Sequence, residues 1–226
     1  MSSTAPAECA RVAQASRRLA EEGLLIGTAG NVSLRFGDLV AVTPTGAVLG
    51  EMSADDVTVV DLAGEIVAGR YAPTSELGLH LDVYHAYPAR AIVHTHAPKS
   101  TALGCVLDEL PVLHYQQLLL GGATPVVPFH PFGTPELAQA VREALRGKQS
   151  ALLANHGAVA LGASMEQAVE NALLLEWACA LYIDANAIGK PRPLSNEQQA
   201  AVIEVALRTG YGTRKPLDGS LEKDRQ

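Results

Sequence analysis

Seven short runs rich in β-branched and small apolar residues punctuate this chain, and several follow one another with only a turn between them. They are Val32–Arg35, Leu39–Thr43, Val57–Asp61, Ala91–His96, Thr124–Pro128, Ala151–Ala154 and Ala158–Leu161. Turn residues such as Gly37-Asp38 and Ala63-Gly64 leave no room for a helix between neighbouring runs. A parallel pair needs a crossover of a dozen or more residues, so a regular parallel βαβ winding is excluded. The pattern calls for an antiparallel or mixed sheet covered by helices.

Those helices carry explicit punctuation. Ala7 to Glu22 places apolar residues at Ala10, Val12, Ala13, Leu19 and Ala20, with Gly23 as the stop. Thr134-Pro135-Glu136 supplies a cap, a first-turn proline and an acid, and Gly147 closes that helix. Ser164-Met165-Glu166-Gln167 has capping-box spacing and opens a long apolar helix to about Ile188; Ser195-Asn196-Glu197-Gln198 repeats the signature before a last helix ending near Gly210. A further helix is expected over Ser75 to Ala86, with Leu77, Leu81 and Tyr84 inward. No repeat or linker divides residues 1–226, which read as one domain with a mobile tail over 209–226.

Several function classes are disfavoured by composition. At 226 residues and 48% hydrophobic content the chain can bury a sizeable core. Its net charge of −7 argues against general affinity for nucleic acid or anionic lipid. No apolar run approaches the roughly 20 residues of a membrane span, and Met1 to Leu19 lacks the form of a signal peptide. Cys9, Cys105 and Cys179 are odd in number and far apart, which points to buried thiols in a reducing cytoplasm.

The chemistry is concentrated at His94-Thr95-His96, which ends the run Ala91–His96, and at His156 in Asn155-His156-Gly157. Successive strand side chains alternate faces, so His94 and His96 project from one side and can grip a single ion. An HxH pair at a strand edge is also compatible with ordinary half-burial. Three protein ligands with one open position is the usual arrangement of catalytic zinc.

Pro73-Thr74-Ser75-Glu76 brings hydroxyls and free backbone N–H groups to a helix N-terminus, a natural seat for phosphate. Glu76 reads either as a solvent-facing acid complementing the helix dipole or as a carboxylate beside the metal. Gly27-Thr28-Ala29-Gly30-Asn31 and Thr43-Pro44-Thr45-Gly46 are two more turns rich in glycine and hydroxyls. The Gly27–Asn31 turn precedes a strand instead of a helix, so it fits neither a P-loop nor a dinucleotide fingerprint. Together with the first segment, the two turns make a pocket that would hold phosphate through backbone N–H groups.

In order and spacing, these segments, extended to Val32-Ser33, resemble the class II aldolase/adducin family from about Glu8 to Gly212. The resemblance implies an α/β fold, a three-layer α/β/α sandwich around a largely antiparallel or mixed sheet. It implies that His94, His96 and His156 hold Zn2+, or alternatively Mn2+ or Co2+, and that Glu76 is the acid/base and a further ligand. Thr28, Gly30, Asn31, Thr45, Gly46, Thr74 and Ser75 fall where the family binds substrate phosphate. His114-Tyr115 matches a pair whose tyrosine reaches a neighbouring subunit's site, Tyr211 a tyrosine of the family's tail, and Phe132 a border of the aldehyde pocket.

The implied activity is reversible cleavage of a ketose 1-phosphate to dihydroxyacetone phosphate and an aldehyde, by a homotetramer with sites between subunits. Its partners would be these small molecules, with no nucleic acid and no membrane. Decarboxylation of a sugar-acid phosphate, dehydration and epimerisation are the alternatives on the same scaffold. Epimerases of the family commonly carry lysine at the position of Thr43 and an acid near the tyrosine segment, which here reads Tyr115-Gln116-Gln117. An adducin-like scaffold would lose the metal ligands. A Schiff-base lysine is the rival route to the same charge stabilisation, and only Lys99 lies near the histidine pair.

Overall fold

Each of the seven runs becomes a strand of one nine-stranded sheet in the computed structural model, which describes residues 5–212. The strands are β1 (Asn31–Phe36), β2 (Leu39–Val42), β3 (Thr58–Asp61), β4 (Ile66–Ala68), β5 (Ala91–Thr95), β6 (Glu109–Leu110), β7 (Thr124–Val127), β8 (Ser150–Leu153) and β9 (Gly157–Gly162). Their order across the sheet is β4-β3-β2-β1-β5-β9-β8-β7-β6. All neighbours pair antiparallel except β7 and β8, so the sheet is mixed and mostly antiparallel. The edge strands β4 and β6 are additions to the sequence reading.

Strand periodicity sorts the two faces. Val32 and Leu34 of β1 and Ala91 and Val93 of β5 pack with α1 (Ala5–Glu21) and the first turns of α5 (Met165–Ile188). Ile92, one residue out of phase, joins Leu79, Val83 and Tyr84 of α2 (Leu77–Ala86) and Leu137 and Val141 of α4 (Pro135–Ala144) on the opposite face. The third cluster joins Leu103 of α3 (Pro98–Gly104) to Leu152, Leu175 and Cys179. The result is the three-layer α/β/α sandwich that the resemblance implied.

The helix caps form as their residues dictate. Thr134 Oγ1 accepts from Leu137 N at 3.3 Å, and Ser164 Oγ accepts from Gln167 N at 3.2 Å. Gln167 turns its own carbonyl to Ala163 N rather than to the cap residue, so that box is only half closed. Helix α2 begins two residues later than expected, with Glu76 as its N-cap. Its buried face is Leu79, His80, Val83 and Tyr84, while Leu77 and Leu81 are only half-buried. Cys9 and Cys179 are buried, but Cys105 just beyond α3 is exposed, so the expectation of three buried thiols is corrected there.

Two compact units divide the described chain, one running through Pro193 and the other starting at Leu194. The second is built on α6 (Asn196–Thr209), capped by Ser195 and ended by Gly210 in the left-handed region. Thr209 therefore belongs to a helix; positions 213–226 of the expected tail lie outside the described residues. No helix among the described residues is long and apolar enough to cross a membrane.

Candidate metal centre

The site forms where β5 meets β9 at the middle of the sheet. Strand alternation puts His94 on the α2 face with Ile92, and the pairing Asn31↔His94 sets Asn31 of β1 beside it. His96 lies just past the end of β5, and His156 lies in the turn between β8 and β9. Thr95↔Ala158 pairing draws that turn against the histidine pair. Gly157 makes the approach possible, since a Cβ there would overlap the Thr95 carbonyl and come within 3.2 Å of the His96 ring. Gly30, at φ +96°, similarly lies against the His94 carbonyl, where a Cβ would sit 2.9 Å away.

The three imidazoles converge edge to face, with ring centroids 4.8 to 4.9 Å apart. Their ligand nitrogens all lie within 4.8 Å of one another. Zinc–nitrogen bonds of about 2.05 Å at tetrahedral angles would separate such nitrogens by roughly 3.3 Å, within this spread. His94 Nδ1 donates to the Ala158 carbonyl at 2.9 Å, leaving the Nε2 lone pair for an ion. That Nε2 stands 3.0 Å from His96 Nε2 and 3.2 Å from Glu76 Oε2. Acceptors this close repel unless a proton or cation sits among them, so the donor set fits a divalent ion.

Glu76 completes the ring. Only 7% exposed, it takes a hydrogen bond on Oε2 from Asn31 Nδ2 at 2.8 Å, and its backbone N–H donates to Thr74 Oγ1 at 3.3 Å. Oε1 is buried with no hydrogen-bond partner and points toward His156 Nε2, 3.6 Å away. The solvent-facing reading of Glu76 is thereby set aside.

Electrostatics follow from this packing. Burial pushes Glu76 up, but His94, the Asn31 amide and His156 outweigh it and hold the carboxyl well below its usual range. Burial pushes His94 down, yet the neighbouring Glu76 carboxylate prevails and raises it. His96 and His156 fall to about 4, from burial first and then the charge of His94. At neutral pH these two rings are uncharged, as metal ligands must be.

The hydroxyl-bearing turns also meet. Thr74 N donates to the Thr43 carbonyl and Thr45 N to the Ala72 carbonyl, while Thr43 Oγ1 accepts from Val32 N beside Asn31. Asn31 and Thr74 are buried; Thr28, Thr45, Gly46 and Ser75 are exposed around them. Gly133, after Phe132, lies against the Ser75 carbonyl.

Tyr115 is 39% exposed at the start of a 3-10 turn, its ring tilted over His114. Tyr211 lies in the second unit and is exposed. The contacts that assemble the histidine cluster come from Asn31, Glu76 and Ala158.

Sequence reading passed over His80 altogether and gave Ser33 and Tyr84 no part in the site; all three are buried. The available signal was the i, i+3, i+4 spacing of His80, Val83 and Tyr84 on one helix face.

A mixed α/β/α sandwich carrying three convergent imidazoles and a buried carboxylate defines a class of metal-dependent lyase scaffolds. A family model described as class II aldolase and adducin N-terminal domain matches residues 10–183, and the chain belongs to the class II aldolase/adducin family. It is 36% identical over 194 residues to an L-fuculose phosphate aldolase of Escherichia coli O6:H1, covering 85% of this chain and 89% of that one. It is 34% identical over 204 residues to a 5-methylthioribulose-1-phosphate/5-deoxyribulose-1-phosphate aldolase of Rhodospirillum rubrum, covering 89% and 92%. A solved L-fuculose 1-phosphate aldolase superposes with a TM-score of 0.84 at 31% identity, over 91% of this chain and 97% of that one. The histidine triad and this likeness together support carbon–carbon lyase activity.

Proposed function

We propose that this protein reversibly cleaves a ketose 1-phosphate into dihydroxyacetone phosphate and an aldehyde. The observation that carries the reading is the convergence of three imidazoles beside a buried carboxylate, one oxygen of which has no hydrogen-bond partner. Relatives named for aldolases of different ketose 1-phosphates support the substrate class, because they share the phosphate end and differ in the rest of the sugar.

His94, His96 and His156 would hold the ion, with Glu76 as a further ligand; Zn2+ is the proposed metal and Mn2+ or Co2+ the alternatives this donor set admits. The ion supplies Lewis acidity that stabilises the negative charge left on the substrate as the carbon–carbon bond breaks. Glu76 manages the carbon-bound proton. Ionised at neutral pH, its Oε1 takes a proton from the hydroxymethyl carbon in the synthetic direction and returns it in the cleavage direction.

Phosphate would sit among Thr28, Gly30, Asn31, Thr45, Gly46, Thr74 and Ser75. The backbone N–H groups of Thr45 and Thr74 already donate to carbonyls, so these two would contribute hydroxyls. Tyr115 of an adjacent subunit would handle the proton on the aldehyde oxygen in a homotetramer, and Tyr211 would be a further catalytic tyrosine. The exposure of Tyr115, together with exposed Leu119 and Trp177, suits such an assembly. Unpaired thiols suit a cytoplasmic setting.

The test is a panel of ketose 1-phosphates and 3-oxo acid phosphates, assayed with and without a chelator. Dihydroxyacetone phosphate should appear from a ketose 1-phosphate, vanish with chelation and return with Zn2+. Carbon dioxide from an oxo acid with no dihydroxyacetone phosphate from any ketose would replace the reading with decarboxylation. Glu76→Gln should keep the ion while losing about 10²- to 10⁴-fold in turnover.

A further inference from the structure

Beneath Glu76, the buried polar atoms between β1 and α2 form one continuous chain. Asn31 Nδ2 donates to Glu76 Oε2 at 2.8 Å, and Asn31 Oδ1 lies 2.5 Å from His80 Nε2. His80 Nδ1 lies 2.6 Å from Ser33 Oγ, which lies 2.7 Å from the Tyr84 hydroxyl. Asn31 and Ser33 are two residues apart on the same face of β1, and His80 spans them with its two ring nitrogens. His80 and Ser33 are wholly buried, and none of the chemistry proposed above uses His80, Ser33 or Tyr84.

The bonds in this chain have one consistent direction. A carboxylate only accepts, so Asn31 must turn its NH2 to Glu76 and its carbonyl to His80. That carbonyl requires a proton on His80 Nε2. Burial lowers the His80 pKa to about 3, so the ring is neutral and Nδ1 accepts from the Ser33 hydroxyl. Ser33, its one proton committed, accepts from Tyr84, whose alternative acceptor, the Arg90 carbonyl, is farther at 3.5 Å. The Glu76 carboxylate at one end and the His80 N–H at the other select the same orientation of the Asn31 amide. A flip would put Oδ1 against Glu76 Oε2, two acceptors in contact.

We propose that His80 is a positioning residue, whose Nε2–H fixes the Asn31 amide and through it the rotamer of Glu76 that leaves Oε1 free. This inference rests on the acid/base reading of Glu76.

The first measurement needs no substrate. Imidazole ¹⁵N spectra of the full chain, metal-free and zinc-loaded, should show His80 as the neutral Nε2–H tautomer from pH 6 to 8. An Nδ1–H tautomer or an imidazolium would overturn the proposal. In turnover, His80→Leu should lower kcat about 10²-fold, the scale of a misplaced catalytic group. His80→Gln, whose amide can donate to Asn31, should stay within about fivefold of wild type. Adding His80→Leu to Asn31→Ala should cost nothing further, because both remove one interaction. Additive losses, or equal losses in the Leu and Gln variants, would overturn the proposal. If His80→Leu does not fold, Ser33→Ala takes its place, with an expected loss of about tenfold. Wild-type protein inactive on every ketose 1-phosphate removes the acid/base reading and the positioning role with it. An active wild type with additive losses removes the positioning role alone.

Discussion

Replacing Gly157 with alanine tests how the histidine cluster is built. The new methyl would overlap the Thr95 carbonyl and crowd His96 at 3.2 Å. Both contacts sit at the junction of β5 and β9, where Thr95 pairs with Ala158. A carbon–oxygen contact settles near 3.3 to 3.6 Å, so the strands must part by about 1 Å. Overpacking of this kind costs about 1–3 kcal/mol. For a chain of this size that lowers Tm by roughly 2–12 °C. The same displacement carries His156 away from His94 and His96, so metal affinity should fall about 10- to 100-fold. Calorimetric melting of the metal-free protein and competition against a chromophoric chelator read the two effects separately. Gly78→Ala is the control: its Cβ meets nothing within 4 Å on α2, and the change should stabilise by about 0.5–1 kcal/mol. A Gly157→Ala protein with wild-type melting and wild-type metal affinity would refute the argument that this close approach assembles the site.

Stripping the ion should lower Tm, and restoring it at 100 times its Kd should return about 2.7 kcal/mol, seen as a rise of roughly 5–11 °C; a metal-independent Tm would count against the site. In the metal-free protein, His80, His96 and His156 have folded pKa values of about 3, 4 and 4 against 6.5 when unfolded. The unfolded chain thus binds protons that the native one refuses between those values, so stability should fall as pH drops from 6.5 through 4; denaturant midpoints across that range measure it. Cys105 should react with a thiol reagent in the native protein, whereas buried Cys9 and Cys179 should react only on unfolding, since burial raises both thiols; mass spectrometry of native labelling decides.

What the sequence made legible was the part governed by local rules. Runs such as Leu39–Thr43 and Ala91–His96 are long and β-branched enough to declare themselves, and Thr134, Ser164 and Ser195 announce their helices by their own hydroxyls. Strand β4 escaped because Ile66 and Val67 are exposed and the run is only three residues long. Helix α3 escaped although Pro98 is a proper first-turn residue, because Lys99, Ser100 and Thr101 mask its one buried leucine. The histidine cluster was visible because His94 and His96 lie i, i+2 at the end of one strand. His80 was not: its partners are 47 and 49 residues away, and only the packing of α2 on β1 brings them together. Orientation of that helix turned on a single phase choice, and Leu77 and Leu81 took the place that Leu79 and Val83 fill.

The location of the imidazoles at the centre of the sheet divides responsibility within the site. β5 and β9 are flanked on both sides by further strands, so the histidine cluster is rooted in the most interior backbone. The surrounding turns at Thr28, Thr45 and Ser75 carry no such duty. Under the proposed function, drift in those turns would change which sugar is accepted and leave the histidine cluster intact.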